Sequence, residues 1–446
     1  MTVTARLLTL LALLAAGAAG LVFFRCEGQP PEVVLEGPIW LGREARDVTF
    51  SARDPGSGLR HLEVVLETAA GERTLLDTRA ESGWLLGTAV SDRPSWTVQI
   101  SSQGLPDGDG TLRVRATDWS WVGPFAGNTT EASVPVRIDT KPPRIRIESG
   151  LTYVKRAGAA AVSYRLDGPT ALDGVRVGDH FFRGFPVSET RDRHIAVFAV
   201  PRDASSTPEI RVVATDLADN AATRGWATQF QDRSFAEVAV RLPERFFSEK
   251  VPELAADLGI EASDVVAAFR AINEGVRASN EAKIAEITRG ASEPRRFVGA
   301  FLQMRNSKVT SRFAEERSYR YRGQEISRAV HYGYDLAATS HAPVEASNAG
   351  RVLFAEKLGI YGNCVILDHG LGVTSLYGHL SEIDVAVGDL VERGQTLGHS
   401  GSTGLAGGDH LHFAILVGGV YVDPLEWWDA RWVRDRVEAR ALGTGP

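Results

Sequence analysis

The sequence predicts a mostly β, multidomain chain. Three observations carry that prediction. Short alternating apolar runs broken by turn residues fill the first half. An Ala-Thr-Asp strand pattern recurs about one sandwich length later. A second glycine-dense β pattern follows residue 300. At 446 residues the chain exceeds one ordinary core and calls for about three folded units. Hydrophobic residues make up 43% and charged residues 24%, which is ordinary globular composition rather than disorder. A net charge of -7 without a basic stripe excludes a phosphate-neutralising nucleic-acid binder. The two cysteines, Cys26 and Cys364, lie far apart, and a chain of this size needs no disulfide framework.

Residues 1–30 read as an export segment. Arg6 precedes an uncharged apolar run over 7–24, roughly 27 Å long as a helix and so matched to a hydrocarbon core. We expect an uncleaved transmembrane helix, giving a single-pass inner-membrane protein with its bulk in the periplasm. The alternative is a signal peptide cleaved among Ala16, Gly17, Ala18, Ala19 and Gly20, with release into the periplasm. Cys26 follows Phe24 and Arg25, a poor lipoprotein signal.

Residues 31–141 and 142–242 read as two β-sandwiches. The run 112–118 alternates strictly, so one face packs inward while Arg113 and Arg115 stay wet. The same pattern returns over 210–216, with Asp118 and Asp216 lying 98 positions apart and followed by Asn128 and Asn220. Pro142 and Pro143 suit a junction, because proline cannot donate to a ladder. The Ala-Thr-Asp…Asn pattern resembles the penultimate strand and turn of bacterial Ig-like repeats. Such domains imply protein partners. Asn128 also opens a glycosylation sequon, but it reads more simply as the turn asparagine of the repeat.

Over 243–300 the apolar period becomes helical: Val251, Leu254, Ala255 and Leu258, then Val265, Val266, Phe269, Ile272 and Val276. Gly259 breaks the pattern and Ser263-Asp264 can restart it. This region reads as a spacer packed by its own stripe, or as an element that covers the active site.

Residues 301–435 carry the chemistry, ahead of a tail over 436–446. Seven of the ten histidines fall between His331 and His412. Three pieces stand out: His331 with Asp335, His379 after Tyr377-Gly378, and His410-Leu411-His412. A hydrolytic zinc site needs about three nitrogen or carboxylate ligands, an open position, and a base beside it. One carboxylate and four histidines are enough for both jobs. On a strand, His410 and His412 share a face and Leu411 takes the other.

With those motifs in order, the segment from Val309 to Trp428 resembles the LytM/lysostaphin-type peptidases of family M23. His331 to Asp335 matches the family's H-x-x-x-D, His410 to His412 its H-x-H, and His379 its lone histidine. Gly362-Asn363-Cys364, Gly398-His399-Ser400-Gly401 and Asp423-Pro424 match its connecting pieces. The resemblance implies an antiparallel β-sandwich or open barrel with its site in a groove. It implies one Zn2+ per chain held by His331, Asp335 and His412. His410 would be the general base, and His379 would orient or stabilise the oxyanion as water attacks. The implied activity is endopeptidase cleavage of peptidoglycan cross-links, with D-alanyl–diaminopimelate bridges favoured over glycine bridges. The alternative is a non-catalytic or gated envelope scaffold that activates other wall hydrolases. Tyr332, Tyr334, Tyr361 and Tyr377 are candidates to line the groove. Asp409 stands where the family often has proline, and Ala414 where it often has glutamate. His369, His399, His341, His61, His180 and His194 read as structural or surface residues, and Cys364 as a buried small hydrophobe.

Overall fold

The computed structural model describes residues 3–80, 90, 95–187, 189–290 and 294–442. It is mostly β, with many sheets, none of which closes into a barrel among the described residues. Two compact units form: Met1–Pro142 with Thr215–Ala221, and Pro143–Ala214 with Ala222–Pro446.

The first unit opens with a helix over Val3–Arg25. The expected transmembrane anchor is overturned, because no helix among the described residues is long and apolar enough to cross a membrane. The single-pass inner-membrane placement and the membrane as a partner fall with it. The helix end is packed instead: Arg25 is buried and donates from Nη1 to the Trp119 carbonyl at 3.2 Å.

Behind it, a five-stranded sheet and a three-stranded sheet share one core. Phe50, Val98 and Ile100 come from the smaller sheet, and Leu62, Val64, Leu112 and Val114 from the larger. The repeated Asp…Asn letters have one physical meaning. Asp118 Oδ1 accepts the Ser120 and Asn128 backbone N–H groups, and Asn128 Nδ2 returns a bond to Asp118 Oδ2 at 2.9 Å. Asp216 Oδ1 accepts Ala218 and Asn220 in the same way, and Asn220 Nδ2 returns to Asp216 Oδ2 at 2.9 Å. Each is a side-chain-locked turn.

In the second unit one hydrophobic core runs from Tyr164 and Phe198, through Phe247 and Phe269, to Leu376, Phe413 and Trp427. The helical period is realised as Val251–Leu258 and Val265–Arg270. Gly259 ends the first helix at φ 66°, a left-handed value that glycine adopts without strain. Asp264 caps the second by accepting Val266 N and Ala267 N. The strand Glu237–Arg241 pairs in parallel with Glu315–Tyr321, which in turn pairs with Gln324–His331. The helices therefore sit on a crossover between two strands of one sheet.

The main sheet orders its strands Lys308–Ser311, Tyr334–Ala337, Leu411–Val417, Val373–Leu380, Asn363–Gly370, Gly350–Lys357 and Leu390–Val391. Leu411–Val417 is buried along its whole length, so both of its faces are covered.

Glu426 offers a check on this packing. Its Oε2 accepts the Ala159 N–H at 2.7 Å, and burial pushes its carboxyl up to about 7. The folded protein holds that proton more tightly than the unfolded chain does. Glu426 therefore favours the fold at low pH, and that contribution is lost as pH rises from the ordinary value of 4.5 through about 7. Glu426→Gln keeps an acceptor for Ala159. Its thermal midpoint relative to the parent should rise between about pH 5 and about pH 8. A pH-independent difference would refute the assignment.

Candidate active site

Strand register assembles the site. Asp335 pairs with His412 across one ladder, and His412 pairs with Gly378 across the next. Neighbouring strands lie about 4.8 Å apart, so Asp335, His412 and His379 come within reach of one another. His331 arrives at the end of Gln324–His331 and His410 just before Leu411–Val417. Gly333, in the turn between the first two motif residues, is required by contact. A Cβ there would lie 2.6 Å from His412 Cε1 and Nε2.

His331 donates from Nδ1 to the Arg312 carbonyl at 2.9 Å, which leaves Nε2 of the neutral ring without a proton. That Nε2 lies 2.9 Å from Asp335 Oδ1 and 3.0 Å from His412 Nδ1. His412 Nδ1 lies 3.1 Å from the same Oδ1. Three buried acceptor-capable atoms thus meet with at most one shared proton, all within 4.8 Å of each other. A cation resolves that crowding. Two imidazoles and one carboxylate are a donor set that suits zinc with a position left open. Arg317 Nη2 holds the other carboxylate oxygen, Oδ2, at 3.1 Å, so Oδ1 faces the rings. Burial opposes ionisation of Asp335, but the neighbouring His331, His410 and His412 outweigh it and hold the carboxyl well below its usual range. Burial lowers His412 to about 4, the neutral form that a ligand needs.

The other two imidazoles are braced in the same manner. His379 donates from Nδ1 to the Thr403 carbonyl and His410 from Nδ1 to the Gly408 carbonyl, each at 2.8 Å. Their ring centroids are 4.8 Å apart, and His410 Nε2 lies 3.6 Å from Asp335 Oδ1. His379 sits at φ 64°, a strained value for a non-glycine residue that the surrounding strands enforce. Burial, then the charges of His410 and His412, push it well below the ordinary imidazole value, so it is neutral at neutral pH.

All five side chains line one cavity of about 290 Å³. Its far wall comes from outside the histidine-bearing strands: Val240, Leu242, Phe246, Phe269 and Arg277. Of the four tyrosine candidates only Tyr361 lines it, packing 5.4 Å from the His412 ring. The other three are corrected. Tyr377 is buried and bonded to Ser347. Tyr334 is buried against Trp428. Tyr332 stacks on Tyr421. Alternation would put Tyr377 on the face of His379, two residues on, but the left-handed φ of 64° at His379 breaks the alternation there.

Arg317, Arg277, and the carbonyls of Arg312, Thr403 and Gly408 had no sequence signal, since a carbonyl acceptor is the same in every residue. Asp409 is a brace: Oδ1 accepts from Ser400 Oγ at 2.6 Å, and Oδ2 from His341 N at 3.0 Å and Ser340 Oγ at 3.1 Å. Ala414 is buried in its strand and does not line the cavity. His369 is buried between the Ala349 carbonyl and Ser375 Oγ, and Cys364 is buried with its thiol pushed far up by burial.

Two imidazoles and a carboxylate converging in a pocket beneath two further imidazoles define the class: a β-rich domain with a candidate hydrolytic metal centre. Residues 329–424 match Peptidase family M23, and the chain carries an M23 peptidase domain there. Over 96 residues it is 42% identical to a protein of Neisseria meningitidis named DD-carboxypeptidase/endopeptidase Mpg, covering 22% of each chain. Over 118 residues it is 35% identical to the Peptidoglycan DD-endopeptidase ShyB of Vibrio cholerae, covering 26% of this chain and 27% of that one. The match thus spans about a quarter of those relatives' length. Among solved structures, the catalytic domain of lysostaphin from Staphylococcus simulans is 31% identical with a TM-score of 0.24, covering 28% of this chain and 94% of that one.

Gly333→Ala tests the geometry. The added methyl must displace His412, so affinity for Zn2+ should fall about 10- to 100-fold while the circular-dichroism spectrum is retained. Unchanged affinity in a competitive chelator titration would contradict the arrangement.

Proposed function

We propose that the chain is a zinc-dependent endopeptidase that hydrolyses peptide cross-links of peptidoglycan. The observation that carries this reading is the set of five anchored side chains on one cavity. Three present converging ligand atoms, and two have the outer nitrogen tied to backbone. Held by His331, Asp335 and His412, Zn2+ would polarise a carbonyl and lower the pKa of a bound water to about 7.

The chain's own residues supply the rest. With Nδ1–H fixed on Gly408, neutral His410 offers Nε2 as the base that takes a proton from the attacking water and returns it to the leaving amine. Neutral His379, fixed on Thr403, has an acceptor at Nε2, which suits holding the second hydrogen of that water. It becomes a donor to the oxyanion only after taking up a proton. Arg317 pairs with Asp335 Oδ2 at 3.1 Å and holds the carboxylate's orientation. The name of the Vibrio cholerae relative, a Peptidoglycan DD-endopeptidase, supports peptidoglycan as the substrate, and the Neisseria relative is named for DD-endopeptidase activity as well.

The test is a digest of purified peptidoglycan by the full zinc-loaded chain beside His410→Ala, read by mass spectrometry of the muropeptides. Cross-linked dimers should disappear with the parent. The variant should be slower by about 10²- to 10⁴-fold with zinc still bound. Equal rates, or intact dimers with zinc-loaded parent, would overturn the proposal.

A further inference from the structure

The helical segment puts one cation into the cavity. Arg277 begins the helix Arg277–Arg289 and lines the same 290 Å³ space as His331, His379, His410 and His412. A space of that volume is roughly 8 Å across, the size of a dipeptide's reacting end. Arg277 is held rigidly. Its Nε donates to the Asn273 carbonyl at 3.0 Å and its Nη2 to Asn273 Oδ1 at 2.8 Å. Asn273 is fully buried and donates in turn to Ser327 Oγ at 2.8 Å, and that hydroxyl donates to Glu274 at 2.8 Å. Ser327 lies on the strand that ends in His331. The guanidinium is therefore positioned from the same strand as a site histidine.

Among the described residues no carboxylate lies within ion-pair distance of Arg277, although its charge is felt by the partly buried Glu281 one turn on, and Nη1 has no bond to them. The other cavity arginine beside the cluster, Arg317, is already engaged by Asp335 and Glu315. Arg241, the third, is exposed at the rim. A half-buried, pre-ordered guanidinium with free donors, facing a reaction cavity, is a carboxylate receptor.

We propose that Arg277 is a specificity residue that binds a carboxylate carried on the carbon next to the scissile nitrogen. This rests on the peptidase reading above and deepens it by naming the residue that selects the substrate. The peptides selected are those whose leaving amine belongs to an α-amino acid with a free carboxylate, such as a D-alanyl–D-amino acid end or a bridge to the α-amino group of a diamino acid. Peptide bonds inside a glycine bridge carry no charge there and gain nothing from it.

The experiment uses the full zinc-loaded chain and a pair of synthetic peptides. Each contains one D-alanyl–D-alanine bond, one peptide ending in the free carboxylate and the other in the primary amide. The parent should prefer the carboxylate peptide by about 10- to 100-fold in kcat/KM, mostly through KM. Arg277→Gln should abolish the preference by slowing only the carboxylate peptide, and Arg277→Lys should restore part of it. Arg241→Gln should leave the preference in place. Binding of the two peptides to the His410→Ala protein, followed by calorimetry, gives a readout independent of turnover. There Arg277→Gln should weaken only the carboxylate peptide. If the parent and Arg277→Gln discriminate equally in both assays, or the amide binds as well as the acid, the inference fails while the peptidase reading stands. If neither peptide is cut and wall dimers also survive, the peptidase reading fails and takes the inference with it.

Discussion

The site depends on one register. His412 is paired to Asp335 on one side and to Gly378 on the other. Slipping either ladder by one residue would turn a side chain to the opposite face of the sheet. Burial on both faces of Leu411–Val417 makes that slip expensive, because leucine, phenylalanine and isoleucine side chains would all trade places. The apolar packing that fixes the fold therefore also fixes the distances among the ligand atoms. The loops add only fine adjustment: carbonyls of Arg312, Thr403 and Gly408 orient three rings, and Gly333 lets the backbone close over the fourth.

Much of this was legible in the residues. The period-two run at 112–118 and the helical period from Val251 to Phe269 are local signals. Capping by Gly259 and Asp264 fell where those residue types place it. The histidine and aspartate spacing named the five side chains that share the cavity. Pairing across long separations was not legible. Nothing near Glu237–Arg241 announces a parallel partner at Glu315–Tyr321, and nothing near Arg277 announces that it lines the same cavity as His412. The groove tyrosines failed for a related reason. Proximity in sequence to a ligand does not set which face of a strand a ring occupies, and Tyr334 and Tyr377 took the core face. The N-terminal anchor was not realised. No helix among the described residues is long and apolar enough to cross a membrane.

The helical segment is joined to the histidine-bearing strands by packing as well as by chain. Phe247 and Phe269 belong to the same core as Phe413, and Asn280 Oδ1 accepts the Ile360 N–H at 2.9 Å in the turn Gly359–Tyr361 that carries Tyr361. Lys250 Nζ reaches the Ser402 carbonyl at 2.9 Å on the loop leading to His410. Such ties give this wall of the cavity the same rigidity as the strands.

The parallel ladder between Glu237–Arg241 and Glu315–Tyr321 bears on modularity. A recombination event that carried off residues 301–435 alone would leave Glu315–Tyr321 with an unpaired edge, an invitation to pair with a neighbouring copy. A portable piece of this chain that keeps this ladder paired begins before residue 237. By strand pairing, the inherited unit is larger than the 329–424 stretch that marks its kinship.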